Sequence, residues 1–161
     1  RQEDRAFRGH GVLPGDDASC HNLYAPTRPR ILGARASFLR EGRFAFQSTV
    51  DASEPERANP WLLLERRFDD GAVPVIADAN SLAYVLHTPV GDDFVIDVNG
   101  QPLRLRVVAA LRDSILQGEF IMAESDFLRT FPAQQGYGLL LAEAPPALAA
   151  TAAVTVPARR W

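Results

Sequence analysis

Hydrophobic patterning is densest between Val73 and Leu111. Val73–Asp78 (VPVIAD) is apolar at both parities around Pro74, the pattern of a strand buried on both faces. Asn80 or Ser81 is placed to cap a short helix over Leu82–His87, which Pro89 stops. Phe94–Val98 and Leu103–Val107 then flank Asn99-Gly100, a dipeptide that tolerates the positive φ demanded at both central positions of a type I′ turn. Leu103 and Leu105 alternate with Arg104 and Arg106, so one face of this hairpin is dry and the other wet.

The remaining chain is read around this unit. Residues 1–17 are charged and Gly-rich and are expected to form an irregular lead-in. Cys20–Leu32 is expected to be extended, pinned by Leu23, Tyr24, Ile31 and Leu32, with one or two helical turns following over Ala34–Arg40. Phe44–Val50 reads as a strand with Phe44, Phe46 and Val50 inward. Asp51–Asn59 reads as a polar loop, and Pro60 as the first residue of a helix capped by Asn59 that runs through Trp61–Arg67. Asp69-Asp70-Gly71 turns the chain into Val73. Leu111–Gly118 is a polar interruption before a strand at Phe120–Ala123. A helix follows from Glu124 or Ser125 to Thr130, and a last strand covers Tyr137–Leu141. Ala147–Val154 is a weak Ala-rich helix or a return toward a membrane segment outside this chain. The connections are too short for a large parallel crossover sheet, so the expectation is an α+β domain with a mixed β-sheet and short helices. Its packed body spans 18–143, and 144–161 leads away from it.

Composition narrows the classes. The 161 residues suffice for one domain with a sizeable core, and an apolar share of 47% speaks against wholesale disorder. A net charge of −3 argues against a nucleic-acid binder. All 17 basic residues are arginine, the residue best suited to bidentate carboxylate pairing. The single Cys20 excludes an internal disulfide. No apolar run approaches the roughly 20 residues of a membrane helix. The chain opens on Arg1 rather than Met, and we expect it to be a piece of a longer protein whose spanning helices lie outside it.

Several short motifs, in their order, resemble the extracytoplasmic (periplasmic core) domain of FtsX/MacB-like ABC transporter permeases. They are "VPVIAD", "VGDDF", the hairpin ending "LRVVAAL", "DSILQGEFIMAE", "GDDASCHNLY" at Gly15–Tyr24, "PRILG" at Pro29–Gly33, "PWLLL" at Pro60–Leu64, "FLRTFP" and "GYGLLLAE". Together they cover roughly Gly15–Glu143. The resemblance implies a MacB-like α+β fold on the extracytoplasmic side of a bacterial cell membrane, with no catalysis of its own and no cofactor. The partners it implies are the membrane-embedded remainder of the permease, a separate cytoplasmic ATP-binding subunit that hydrolyses ATP, and a periplasmic protein or lipid-like substrate.

Asp16, Asp17, Ser19, Cys20 and His21 form the richest polar cluster, but adjacent Cys20 and His21 cannot easily pair, leaving His10 and His87 as imidazole partners. The cluster lacks metal-ligand spacing, and a small buried cysteine with turn-forming aspartates is the simpler reading. Gly91-Asp92-Asp93 reads as a turn feeding a strand. Asp113, Ser114, Gln117 and Glu119 set exposed hydrogen-bonding groups between two apolar strands and are the candidate partner or substrate contact. Arg104, Arg106 and Arg112 are expected to be solvated and paired with acids such as Asp97. Trp61–Leu64 reads as core, with Trp61 alone a candidate surface anchor. No Gly-rich phosphate loop, His/Cys metal spacing or nucleophile elbow is present. Two other classes remain beside the permease domain: a small hydrolase or transferase using Cys20 or Asp113, and a soluble interaction adaptor with the Asn99-Gly100 hairpin as its edge.

Overall fold

The computed structural model describes residues 7–13, 29–133 and 139–142. Its strands are β1 (Phe7–Leu13), β2 (Arg30–Ala34), β3 (Phe46–Thr49), β4 (Val73–Asp78), β5 (Asp93–Val98), β6 (Gln101–Leu111), β7 (Glu119–Ala123) and β8 (Leu139–Ala142). They form one eight-stranded sheet in the order β3-β6-β4-β7-β2-β1-β8, with β5 also paired to β6. β2–β7 and β4–β6 are parallel and the other pairs antiparallel, so the domain is α+β on a mixed sheet.

β6 organises this sheet. Along one edge its first half carries β5 and its last residues carry β3, while β4 runs along the other edge. Against β4 the register shifts by one: Val75 opposes Val107 but Ile76 opposes Ala109, leaving Val108 as a bulge. The bulge reverses the side-chain parity, so that Leu105 and Val107 enter one core and Val108, Ala109 and Leu111 the other. At the hairpin, Asn99 (φ 54°) and Gly100 (φ 81°) both take the expected positive φ, and the Asp97 carboxylate accepts the Gly100 N–H at 2.9 Å.

Each face of the sheet is covered. On one, α1 (Ala36–Arg40) and a 3-10 helix over Pro60–Glu65 place Phe38, Leu39, Trp61, Leu63 and Leu64 over Leu32, Ile76 and Ile121. Trp61 is fully buried, meets the rings of Phe38, Phe46 and Phe44 edge-on at 5.0, 5.4 and 6.0 Å, and donates its indole N–H to the Arg43 carbonyl at 2.5 Å. It is a core residue and not a surface anchor. On the other face, Leu82 and Leu86 and the α4 residue Phe127 (helix Glu124–Thr130) cover Ile31, Val75, Phe120 and Met122. Gly33 lets α4 lie this close, because a Cβ there would stand 2.9 Å from Phe127 Cβ and Cγ.

Several expectations are corrected. Residues 7–13 of the supposed irregular lead-in form β1, whose mixed Gly and polar composition hid it. The polar stretch Asp51–Asn59 contains α2 (Glu54–Ala58), nucleated by a Ser53/Glu56 capping box and Pro55 rather than by an apolar stripe. The helix after Asn59 is capped by that side chain as expected, but it is 3-10 and ends at Glu65. The helix expected over Leu82–His87 starts earlier: Asp78, not Asn80 or Ser81, caps α3 (Ala79–Ser81), which continues as a π turn over Leu82–Leu86 and ends on left-handed His87 (φ 50°). The strand expected over Phe44–Val50 is confined to Phe46–Thr49 because Phe44 has φ 70°, although Phe44, Phe46 and Val50 do pack inward. Leu23, Tyr24, Tyr137 and Ala147–Val154 lie outside the described residues.

Strand direction gives the domain two ends. β4 and β6 finish at Asp78 and Leu111, where β7 and β2 begin at Glu119 and Arg30. β2 and β7 finish at the opposite end, at Ala34 and Ala123. β1 runs against β2, with Leu13 opposite Ile31, and β8 runs against β1, with Ala142 opposite Phe7. Phe7 and Ala142 therefore lie together toward the Ala34 end, away from Asp78.

Candidate functional site

The Asp78 end carries the polar interruption that follows β6. Asp78 is fully buried, which requires that its carboxylate be satisfied by hydrogen bonds. Oδ2 accepts the backbone N–H groups of Asn80 (3.0 Å) and Ser81 (3.2 Å), and Oδ1 accepts that of Ser114 (3.1 Å). Ser81 Oγ accepts the Gly118 N–H at 2.7 Å, and Ser114 Oγ accepts the Leu116 N–H at 3.0 Å. Leu116 drops into the core beside these bonds. Left-handed Asp113 (φ 46°) and Gly118 (φ 73°) bend the chain at either side of the pinned segment.

The four candidate contact residues are thereby divided. Asp113 and Gln117 are exposed, together with Ile115 at 78% exposure, an apolar side chain for which the sequence pattern held no signal. Ser114 and Glu119 are buried, which corrects the expectation of one exposed patch: Ser114 anchors the loop, and Glu119 is the first residue of β7. Glu119 Oε1 accepts from Arg30 at 2.9 Å, while its buried Oε2 has no hydrogen-bond partner. Burial raises the Glu119 carboxyl above its ordinary range against the opposing pull of Arg30.

The wet face of the hairpin is an ion-pair ladder. Arg106 binds Asp93 in a bidentate fork at 2.7 and 2.9 Å, reaches Asp70 at 2.7 Å and lies 4.7 Å over the Phe68 ring. Arg104 approaches Asp70 at 3.3 Å and also bonds the Asp70 carbonyl. The acids of this ladder are Asp70 and Asp93, not Asp97, which closes the hairpin turn instead. The Arg106 hydrogen bond holds the Asp70 carboxyl below its ordinary range, and Asp93 followed by Asp70 raises Arg106. Arg112 is exposed and stands outside the ladder.

An open cleft of about 420 Å³ lies between β3 and the π turn, lined by Ser48, Leu82, His87, Thr88, Val90 and Ala110 among others. Thr88 spends its hydroxyl on the Leu86 carbonyl at 3.0 Å, and His87 is exposed. Among the described residues no group of three or more His, Cys, Asp or Glu could hold a metal ion. Asp113 is an exposed carboxylate on a left-handed turn. Asp16, Asp17, Ser19, Cys20 and His21 lie outside the described residues, and His10 is described only by its backbone in β1. No described helix is long and apolar enough to cross a membrane.

Solved structures similar to this chain include the following two. One is the extracellular domain of the noncanonic ABC-type transporter YknZ from Gram-positive bacteria, at 11% identity and a TM-score of 0.44, covering 91% of this chain and 67% of that one. The other is the periplasmic region of MacB from Actinobacillus actinomycetemcomitans, at 12% identity and a TM-score of 0.41, covering 83% of this chain. The chain spans only 51% of that MacB region. No family model and no curated protein sequence matches.

Proposed function

We propose that this chain is an extracytoplasmic domain of an ABC transporter permease, carried on the membrane-embedded remainder of the same protein and moved by ATP hydrolysis in a separate cytoplasmic subunit. One observation carries the reading: Phe7 lies opposite Ala142 in the β1–β8 ladder, so the chain enters and leaves the sheet side by side. A rigid body inserted between two membrane helices needs this arrangement, since both connections must reach the same bilayer surface. The order of the sequence motifs that resemble the FtsX/MacB-like permeases supports the same reading. On it, the Arg112–Gly118 loop faces away from the bilayer and offers Asp113, Ile115 and Gln117 to a periplasmic partner protein or lipid-like substrate, with Asp78 and Ser81 holding it from beneath.

The test is topological. In the full-length gene product, Cys20 is replaced by Ser and Asp113 by Cys, and intact spheroplasts are treated with a membrane-impermeant maleimide. Labelling without lysis is the expected result, and labelling only after lysis overturns the reading.

A further inference from the structure

Two arginines at the Ala34 end share a single buried carboxylate. Asp126, fully buried near the start of α4, receives Arg67 Nη1 on Oδ2 at 3.1 Å and Arg129 Nη2 on Oδ1 at 2.5 Å. The side chains of Arg67 and Arg129 are nevertheless 56% and 61% exposed. Each guanidinium has five N–H donors; among the described residues Arg129 spends one here, and Arg67 donates besides only to the Arg66 carbonyl at 3.0 Å. Two cations against one anion leave a local surplus of one positive charge on a protein of net charge −3. The shared carboxylate orients both forks before any ligand arrives, which lowers the ordering cost of binding. Leu128, next to Arg129 on α4, is 53% exposed. An exposed leucine beside an arginine is the composition of a surface that meets the headgroup layer of a bilayer.

We infer that Arg67 and Arg129, oriented by Asp126, clamp the phosphate of an anionic phospholipid headgroup, with Leu128 resting on the acyl boundary. Position supports this, because α4 follows β7 at the end of the sheet where Phe7 and Ala142 lie. The inference rests on the proposed mounting for its biological setting, yet its chemistry is testable without it. Bidentate N–H forks suit phosphate oxygens, and an overall acidic chain gains nothing from a nonspecific anionic surface.

The experiment is flotation of the purified chain with vesicles of phosphatidylcholine alone and of phosphatidylcholine with phosphatidylglycerol. Removing both arginines alone would strand the buried Asp126 charge, so the decisive variant is R67Q/D126N/R129Q, which removes both cations and the anion together and is checked for folding by circular dichroism. The native chain is expected to float with the anionic vesicles, less so as salt rises, and the folded triple variant, which loses one net positive charge, to bind about fivefold more weakly. Equal binding by the folded variant, or no binding by the native chain, overturns the clamp. So does saturable binding of inorganic phosphate without vesicle binding, which would reduce the site to one for free phosphate. Failure here leaves the maleimide result untouched, and failure of the maleimide test leaves vesicle binding measurable, so the two proposals fall separately.

Discussion

The Asp78 carboxylate and the Ser114 backbone N–H meet at 3.1 Å across 36 residues of chain, tying the end of β4 to the loop that follows β6. The same carboxylate caps α3, so one side chain starts a helix and orders the most prominent loop at that end. Asp78→Ala strands three buried or part-buried N–H groups and is expected to cost about 3 kcal/mol in urea unfolding. Amide exchange at Ser114 and Gly118 should accelerate before global unfolding. Unchanged exchange there would show that the loop is held by something other than Asp78.

The elements that were legible in the sequence were those in which local chemistry and packing agree. Asn99-Gly100 needed only its own φ values, and VPVIAD is buried on both faces, as its unbroken apolar run requires. Illegible features had signals in competition. Asp78 closes an apolar strand and was read as strand, although its side chain caps the next turn. Glu119 and Ser114 look like surface residues by type, and only the sheet register and the Asp78 bond turn them inward. The Arg67–Asp126 pair joins residues 59 apart, a separation that no periodicity encodes.

Gly33 is expected to tolerate no side chain. A Cβ would meet Phe127 Cβ and Cγ at 2.9 Å, and α4 lies directly on β2 there, so relief requires moving the helix. Gly33→Ala should cost about 1–3 kcal/mol by overpacking, and the loss should be smaller in a Phe127→Ala background, which removes Cγ and the ring. Gly71→Ala is the informative contrast: nothing lies within 4 Å of a Cβ there, so its cost comes only from φ +77°. If the Gly33→Ala loss is as large in the Phe127→Ala background as in the native chain, steric contact is not the cause at Gly33.

Trp61 combines full burial with a polar obligation. Trp61→Phe retains most of the ring packing against Phe38, Phe44 and Phe46 but removes the N–H that bonds the Arg43 carbonyl. Loss of about 1–3 kcal/mol is expected from the unpaired carbonyl and the smaller ring, against about 3–5 kcal/mol for Trp61→Ala. Equal losses in chemical denaturation would mean that the hydrogen bond, and not the aromatic cluster, dominates this core.

Glu56 and Glu119 should give stability opposite dependences on pH. Two bonds from Arg66 (2.6 and 2.7 Å) and two from Ser53 (both 2.7 Å) hold the Glu56 carboxyl at about 2, below its ordinary 4.5. The unfolded chain binds this proton first as pH falls, so the contribution is complete above 4.5 and is lost as pH drops through about 2. Glu119 is raised by burial, so its folded form holds the proton longer, and stability declines as pH rises from 4.5 through the folded value. Glu56→Gln should therefore be least stable relative to the native chain near pH 7 and converge with it toward pH 2. Glu119→Gln should instead gain on the native chain as pH climbs above 4.5, since the amide has no charge to desolvate while its oxygen can still accept from Arg30. Urea midpoints for the three proteins between pH 1.5 and 7.5, a range of ~6 units that reaches below the folded Glu56 value, check this. Parallel curves for both variants would mean that neither carboxylate changes its proton affinity on folding.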